Sequence, residues 1–103
     1  MKAEKIVNRR AWFRSIRPGE VTNGKFKDYR ALKSISVQLT DYNASDGKRN
    51  GVFVHASYDR EKLIVYLAGV TLEQRAKELR DPSYKDEWRN MIKEWKRKRS
   101  QAK

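Results

Sequence analysis

Residues 51–58, GVFVHASY, and residues 63–69, LIVYLAG, are separated by only the four residues DREK. Two runs rich in strand-forming residues and joined so tightly must lie side by side and antiparallel, because a parallel crossover needs a dozen residues or more. No other part of the chain leaves so little choice. In the first run Val52, Val54 and Ala56 alternate with Phe53 and His55, the period of a strand with two different faces. The second run is more continuously apolar, which predicts the central or best covered strand.

Upstream, KSISVQLTDY sets Ile35, Val37 and Leu39 against Ser34, Ser36, Gln38 and Thr40. Strict alternation predicts a third strand, linked to the second through NASDGKRNG (43–51), a stretch dense in turn formers. Short connections between the three make an antiparallel meander. Downstream the period changes to that of helices. Thr71-Leu-Glu-Gln74 fits a capping box, after which Leu72, Ala76 and Leu79 share one face. Asp81-Pro82 is a second helix start, and Tyr84, Trp88, Met91, Ile92 and Trp95 form the stripe that should cover the sheet. The first 32 residues are less regular. A helix within Ala3 to Ile16 followed by a long loop is expected, with turns at Pro18-Gly19 and Asn23-Gly24. The sum is an α+β domain spanning 1–103: an N-terminal helix or irregular segment, a three-stranded antiparallel meander, two C-terminal helices packed on one sheet face, and residues 96–103 as a basic tail.

Charge is the strongest guide to function. The chain carries 25 Lys and Arg against 13 Asp and Glu, a net charge of +12. The excess is segregated. Residues 1–35 hold ten basic and three acidic groups, residues 36–70 four of each, and residues 71–103 eleven and six. Basic ends around a neutral middle resemble a footprint for a polyanion, provided both ends fold onto a shared surface. We therefore expect non-catalytic binding of nucleic acid, DNA or RNA, through phosphate contacts, as in a regulator from a phage or mobile element.

Four segments are candidates. RRAWFRSIRPG offers Arg9, Arg10, Arg14 and Arg17, whose planar forks match phosphate oxygens, and Trp12, a candidate for base stacking. The bland alternative makes Trp12, Phe13 and Ile16 core and the arginines their wet side. GKFKDYR offers Lys25, Lys27 and Arg30, which would equally suit a guarded strand edge. DGKRNG offers Lys48 and Arg49 at an expected hairpin tip. Lys96, Arg97, Lys98 and Arg99 surround a helix turn and cannot be core; they would serve as an electrostatic arm, or merely complement the helix dipole. On this reading, exchanging Arg10 and Arg14 for alanine weakens binding and leaves stability alone.

Other classes find less support. There is no cysteine and one histidine, His55, so no metal site is legible and no cofactor is expected. Ser57 lacks an oxyanion hole, the carboxylates are scattered, and Asp86-Glu87 sits where a helix start favours acids. A small metal-independent ribonuclease built from His55, arginines and Tyr58 or Tyr66 is the third reading. The second is a regulator docking on the acidic surface of a nucleic-acid-processing enzyme. No apolar run approaches membrane-spanning length, and no signal-peptide stretch follows Lys2 and Lys5, so an intracellular place, cytoplasmic or nucleoid-associated, and no membrane partner are expected.

Overall fold

The computed structural model describes residues 9–101; the expected helical residues before Arg9 and the last two residues of the basic tail lie outside that range. The elements follow as α1 (Arg9–Arg14), β1 (Val21–Lys25), α2 (Tyr29–Ala44), α3 (Asp46–Asn50), β2 (Val52–Asp59), β3 (Ile64–Thr71), α4 (Leu72–Arg80), a 3-10 turn (Pro82–Lys85) and α5 (Asp86–Gln101). The fold is α+β, with three antiparallel strands in one sheet and helices at the C-terminal end.

The hairpin forms where DREK joins its two runs. Register runs from Asp59 opposite Ile64 to Val52 opposite Thr71. The Asp59 carboxylate accepts from the Lys62 amide at 3.1 Å, closing the turn. Leu63 has φ of 59°, left-handed backbone that a leucine avoids. It is held there because its side chain packs on the core and its carbonyl accepts from the Phe26 amide at 2.8 Å.

The third strand is not the expected one. β1 pairs with the far side of β3, Val21 opposite Ala68 and Lys25 opposite Ile64, giving the order β1-β3-β2. The expected Asn23-Gly24 turn is thus strand, and the expected strand at 34–40 is the middle of the sixteen-residue helix α2. Two periods compete in that stretch. Alternation groups Ile35, Val37 and Leu39, but Val37 is 71% exposed. The helical set Leu32, Ile35, Leu39 and Tyr42 is buried throughout, and Asp28 caps the start by accepting from the Ala31 amide at 2.8 Å. Burying four large side chains against the sheet outweighs the weak strand preference of Ile and Val. The expected hairpin tip at DGKRNG is likewise helical, α3, closed by Gly51 in the left-handed conformation (φ 79°) that a helix end commonly requires.

Helices cover both faces of the sheet. On one, Val52, Val54, Val65 and Leu67 meet Phe13 and Ile16 beside α2 and Phe26. On the other, Ala68 and Val70 meet Trp88 and Ile92 of α5, with Val21, Phe53, Tyr66 and Met91 partly buried around them. The segment after α1 crosses β3 at Gly69, exchanging Gly19 N–H to Gly69 O (2.8 Å) and Gly69 N–H to Glu20 O (3.0 Å). A Cβ at Gly69 would stand 2.5 Å from the Arg17 carbonyl oxygen, so only glycine admits the crossing. At the outer edge of β2, the Asn43 side chain donates to Val54 O (3.0 Å) and accepts from Val54 N (2.9 Å).

Helix α4 starts as expected, with Thr71 Oγ1 accepting from the Gln74 amide at 3.0 Å, but it is turned over. Leu72, Ala76 and Leu79 share a face and that face is outward; Leu79 is 67% exposed. The residue directed at the sheet is Glu78, 1% exposed and bonded to His55 of β2 at 2.7 Å.

Candidate nucleic-acid interface

The strand register defines two ends of the molecule. At one, β2 turns into β3 and β1 finishes; at the other, α3 leads into β2 and β3 leads into α4. The thirteen basic residues singled out in the sequence divide between these ends and between the sheet faces.

The N-terminal arginines lie on the α2 side and run towards the α3 end. Arg9 bonds Ser34 Oγ (2.6 Å) and Gln38 Oε1 (2.8 Å) and stands over the Phe26 ring. Arg10 pairs with Asp41 (3.2 Å) and Asp46 (3.3 Å), and Arg14 with Asp46 (3.4 Å). Arg49 reaches the same carboxylate at 3.8 Å. Burial by itself would raise the Asp46 carboxyl, but the Arg14 hydrogen bond and the charges of Arg10, Arg14 and Arg49 outweigh it and hold Asp46 below the usual carboxylate range. Three guanidinium groups are therefore already engaged with an internal anion. They tie α1 to α3. Arg17 and Lys48 are exposed nearby.

The other end is different. Lys25 closes β1, and Lys27 and Arg30 follow it, all exposed. Helix α5 runs towards the same end: Trp88 stacks on His55, then Trp95 and Lys96 reach Tyr66, and the turn carrying Arg97, Lys98 and Arg99 continues past it. Folding adds three exposed cations that sequence reading missed, Lys33 of α2 and Arg60 and Lys62 of the hairpin turn. Among the described residues, Arg97 alone of these ten has an ion pair, with Glu94. Of the local acids, Asp28 and Asp59 accept backbone amides. Lys25, Lys27, Arg30, Lys33, Arg60 and Lys62 thus gather at the hairpin end, with Arg9 reaching Phe26 beside them, while Arg10, Arg14 and Arg49 are held by Asp46 and Lys96 to Arg99 extend from α5 on the opposite face.

Most accessible aromatic rings carry a cation as a lid. Arg75 covers Phe53 at 4.1 Å, Lys96 covers Tyr66 at 4.2 Å, Arg99 covers Trp95 at 4.4 Å, and Arg89 lies 5.6 Å from Trp88. Trp12 packs on Phe13 (5.8 Å between centroids) and its outer edge abuts Gly24, so it works chiefly as packing. A shallow hollow between β2 and α5 is lined by Ser57, Trp88, Arg89, Ile92, Lys93 and Lys96. Its three cations suit an anion, although its ring is already stacked on His55 at 4.4 Å.

His55 itself is enclosed, 8% exposed between Trp88 and Phe53. As a carboxylate Glu78 only accepts, so the neutral His55 donates from Nε2. Burial pushes the imidazole below its ordinary value, with help from Arg75 and Lys85 and against the hydrogen bond and charge of Glu78. Arg75 lies 3.6 Å from Glu78, and Gln74 donates weakly to it at 3.5 Å. The Trp88 indole N–H, buried beside this group, has no partner among the described residues. A ribonuclease reading would need the imidazole presented to substrate, and here it faces inward. Among the described residues no cluster of His, Asp and Glu could hold a metal ion, and no helix is long and apolar enough to cross a membrane. No family model, curated protein or solved structure matches the chain, so the interface rests on its own geometry.

Proposed function

We propose that this protein binds nucleic acid without catalysing a reaction on it, gripping the phosphate backbone at the hairpin end of the sheet. One observation carries the reading: Lys25, Lys27, Arg30, Lys33, Arg60 and Lys62 gather around the end of β1, the start of α2 and the hairpin turn, all exposed, and among the described residues none of the six is paired with an acid. Exposed cations that no carboxylate neutralises are free to displace the counterions of a polyanion, which is the main source of backbone affinity. The arginine cluster around Asp46 is given the other role, holding α1 in place. DNA and RNA both offer the required phosphates.

The test is a fluorescence-anisotropy titration with an oligonucleotide at 50 and 200 mM salt. With 6–10 phosphate contacts the affinity falls roughly 10³–10⁵-fold between the two. Lys27→Ala with Lys62→Ala, both exposed at the hairpin end, weakens binding and flattens the salt slope at unchanged melting temperature. Arg10→Ala with Arg14→Ala does the opposite, lowering the melting temperature and largely sparing the slope. Absence of binding at 50 mM salt sinks the reading and returns the basic end to an acidic protein partner.

A further inference from the structure

Between α2 and the β2–β3 hairpin lies a hollow of about 260 Å³ lined by Tyr29, Leu32, Lys33, Ser36, Tyr58 and Arg60. It opens at the basic end just described, and no carboxylate lines it. Its size is below that of sites for drug-sized ligands, about 300–1,000 Å³, and suits one flat ring system. Tyr29 is 47% exposed and opens the first turn of α2. Tyr58 is half-buried at the end of β2. Neither ring has a cation over it among the described residues, unlike Phe26, Phe53, Tyr66, Tyr84, Trp88 and Trp95. The two uncovered tyrosines thus share one concavity with two unpaired cations.

We propose that this hollow receives one unpaired nucleotide, its base stacked on Tyr29 and Tyr58 and its phosphate met by Lys33 and Arg60. The inference rests on the nucleic-acid reading and adds to it a preference for single strands or strand ends. Bases inside a duplex keep their faces stacked on their neighbours and cannot enter. Ring-on-ring stacking is sequence-tolerant, because every base has a flat face, and is worth about 1–3 kcal/mol per base. Leu32 forms an apolar floor. Ser36 adds a hydroxyl at the rim, which donates to the Lys33 carbonyl at 3.1 Å.

The experiment compares a single-stranded oligonucleotide with a duplex of the same length, using wild type, Tyr29→Leu and Lys33→Gln with Arg60→Gln, with thermal melts to check folding. We expect the wild type to bind the single strand more tightly. Tyr29→Leu should lose about tenfold on the single strand, the equivalent of 1.4 kcal/mol, and change little on the duplex. The double variant should lose affinity for both. Equal affinity of wild type and Tyr29→Leu for the single strand overturns the nucleotide site while leaving backbone binding standing. Failure of wild type to bind either form at 50 mM salt overturns both.

Discussion

The two faces of the sheet are built by different rules. The α1–α2 face is dry: eleven buried side chains, from Phe13 to Leu67, form one cluster. The α4–α5 face has four, Ala68, Val70, Trp88 and Ile92, and beside them a buried histidine, a buried glutamate and an indole N–H without a partner. The first face draws its stability from apolar area removed from water. The second divides its interior between packing and a hydrogen-bonded polar group, which is costly unless satisfied and gives a defined arrangement when it is. Helix α4 shows the difference most directly, since it turns leucines to water in order to set Glu78 on His55.

That contrast can be broken by measurement. Phe13→Ala, on the dry face, should cost about 4 kcal/mol in urea denaturation, within the usual range for a buried phenylalanine. Trp88→Ala should cost less, about 3 kcal/mol, although tryptophan is larger, because the variant also removes the unpaired N–H. A larger loss at Trp88 than at Phe13 would reverse the ranking of the faces. Glu78→Ala should cost about 2 kcal/mol by stripping the buried His55 of its partner, and Glu78→Leu combined with His55→Phe should recover much of it. A pH series checks the same pair. Below about 6.5 the unfolded chain's histidine takes up a proton that the buried one resists. Stability therefore falls on acidification from there down to the folded imidazole's own lower value, at no more than about 1.4 kcal/mol per pH unit. His55→Phe should remove that slope. The smallest effect is expected at Leu79→Ala, within about 0.5 kcal/mol, because the residue is exposed.

Legibility in the sequence follows the range of the forces involved. The hairpin was readable because alternation and a four-residue link act locally, and both C-terminal starts were readable because caps are local: Thr71 accepts from Gln74 N and Asp81 from Ser83 N. Helix α2 has its cap and its 32-35-39-42 spacing in the sequence, but Ile35, Val37 and Leu39 fit a strand equally well, and only burial against the sheet decides between the two periods. β1 had no signal of its own, as VTNGK does not alternate and becomes strand only by lying against β3. For α4, the stripe was real but its direction was set by His55, twenty-three positions away. The candidate site divided similarly. The charge excess and the tail at 96–99 stood out in composition, whereas Lys33, Arg60, Tyr29 and Tyr58 come together only through the crossing of α2 with the hairpin.

The grip of Asn43 on Val54 bears on how many copies behave when crowded together. An outer strand with bare amides invites a neighbour's strand to zip onto it. At Val54 both pairing slots are taken by a side chain of the same molecule, so an intruding strand must first break two bonds. Where many copies are brought close together, this works as a built-in guard against growing into fibrils.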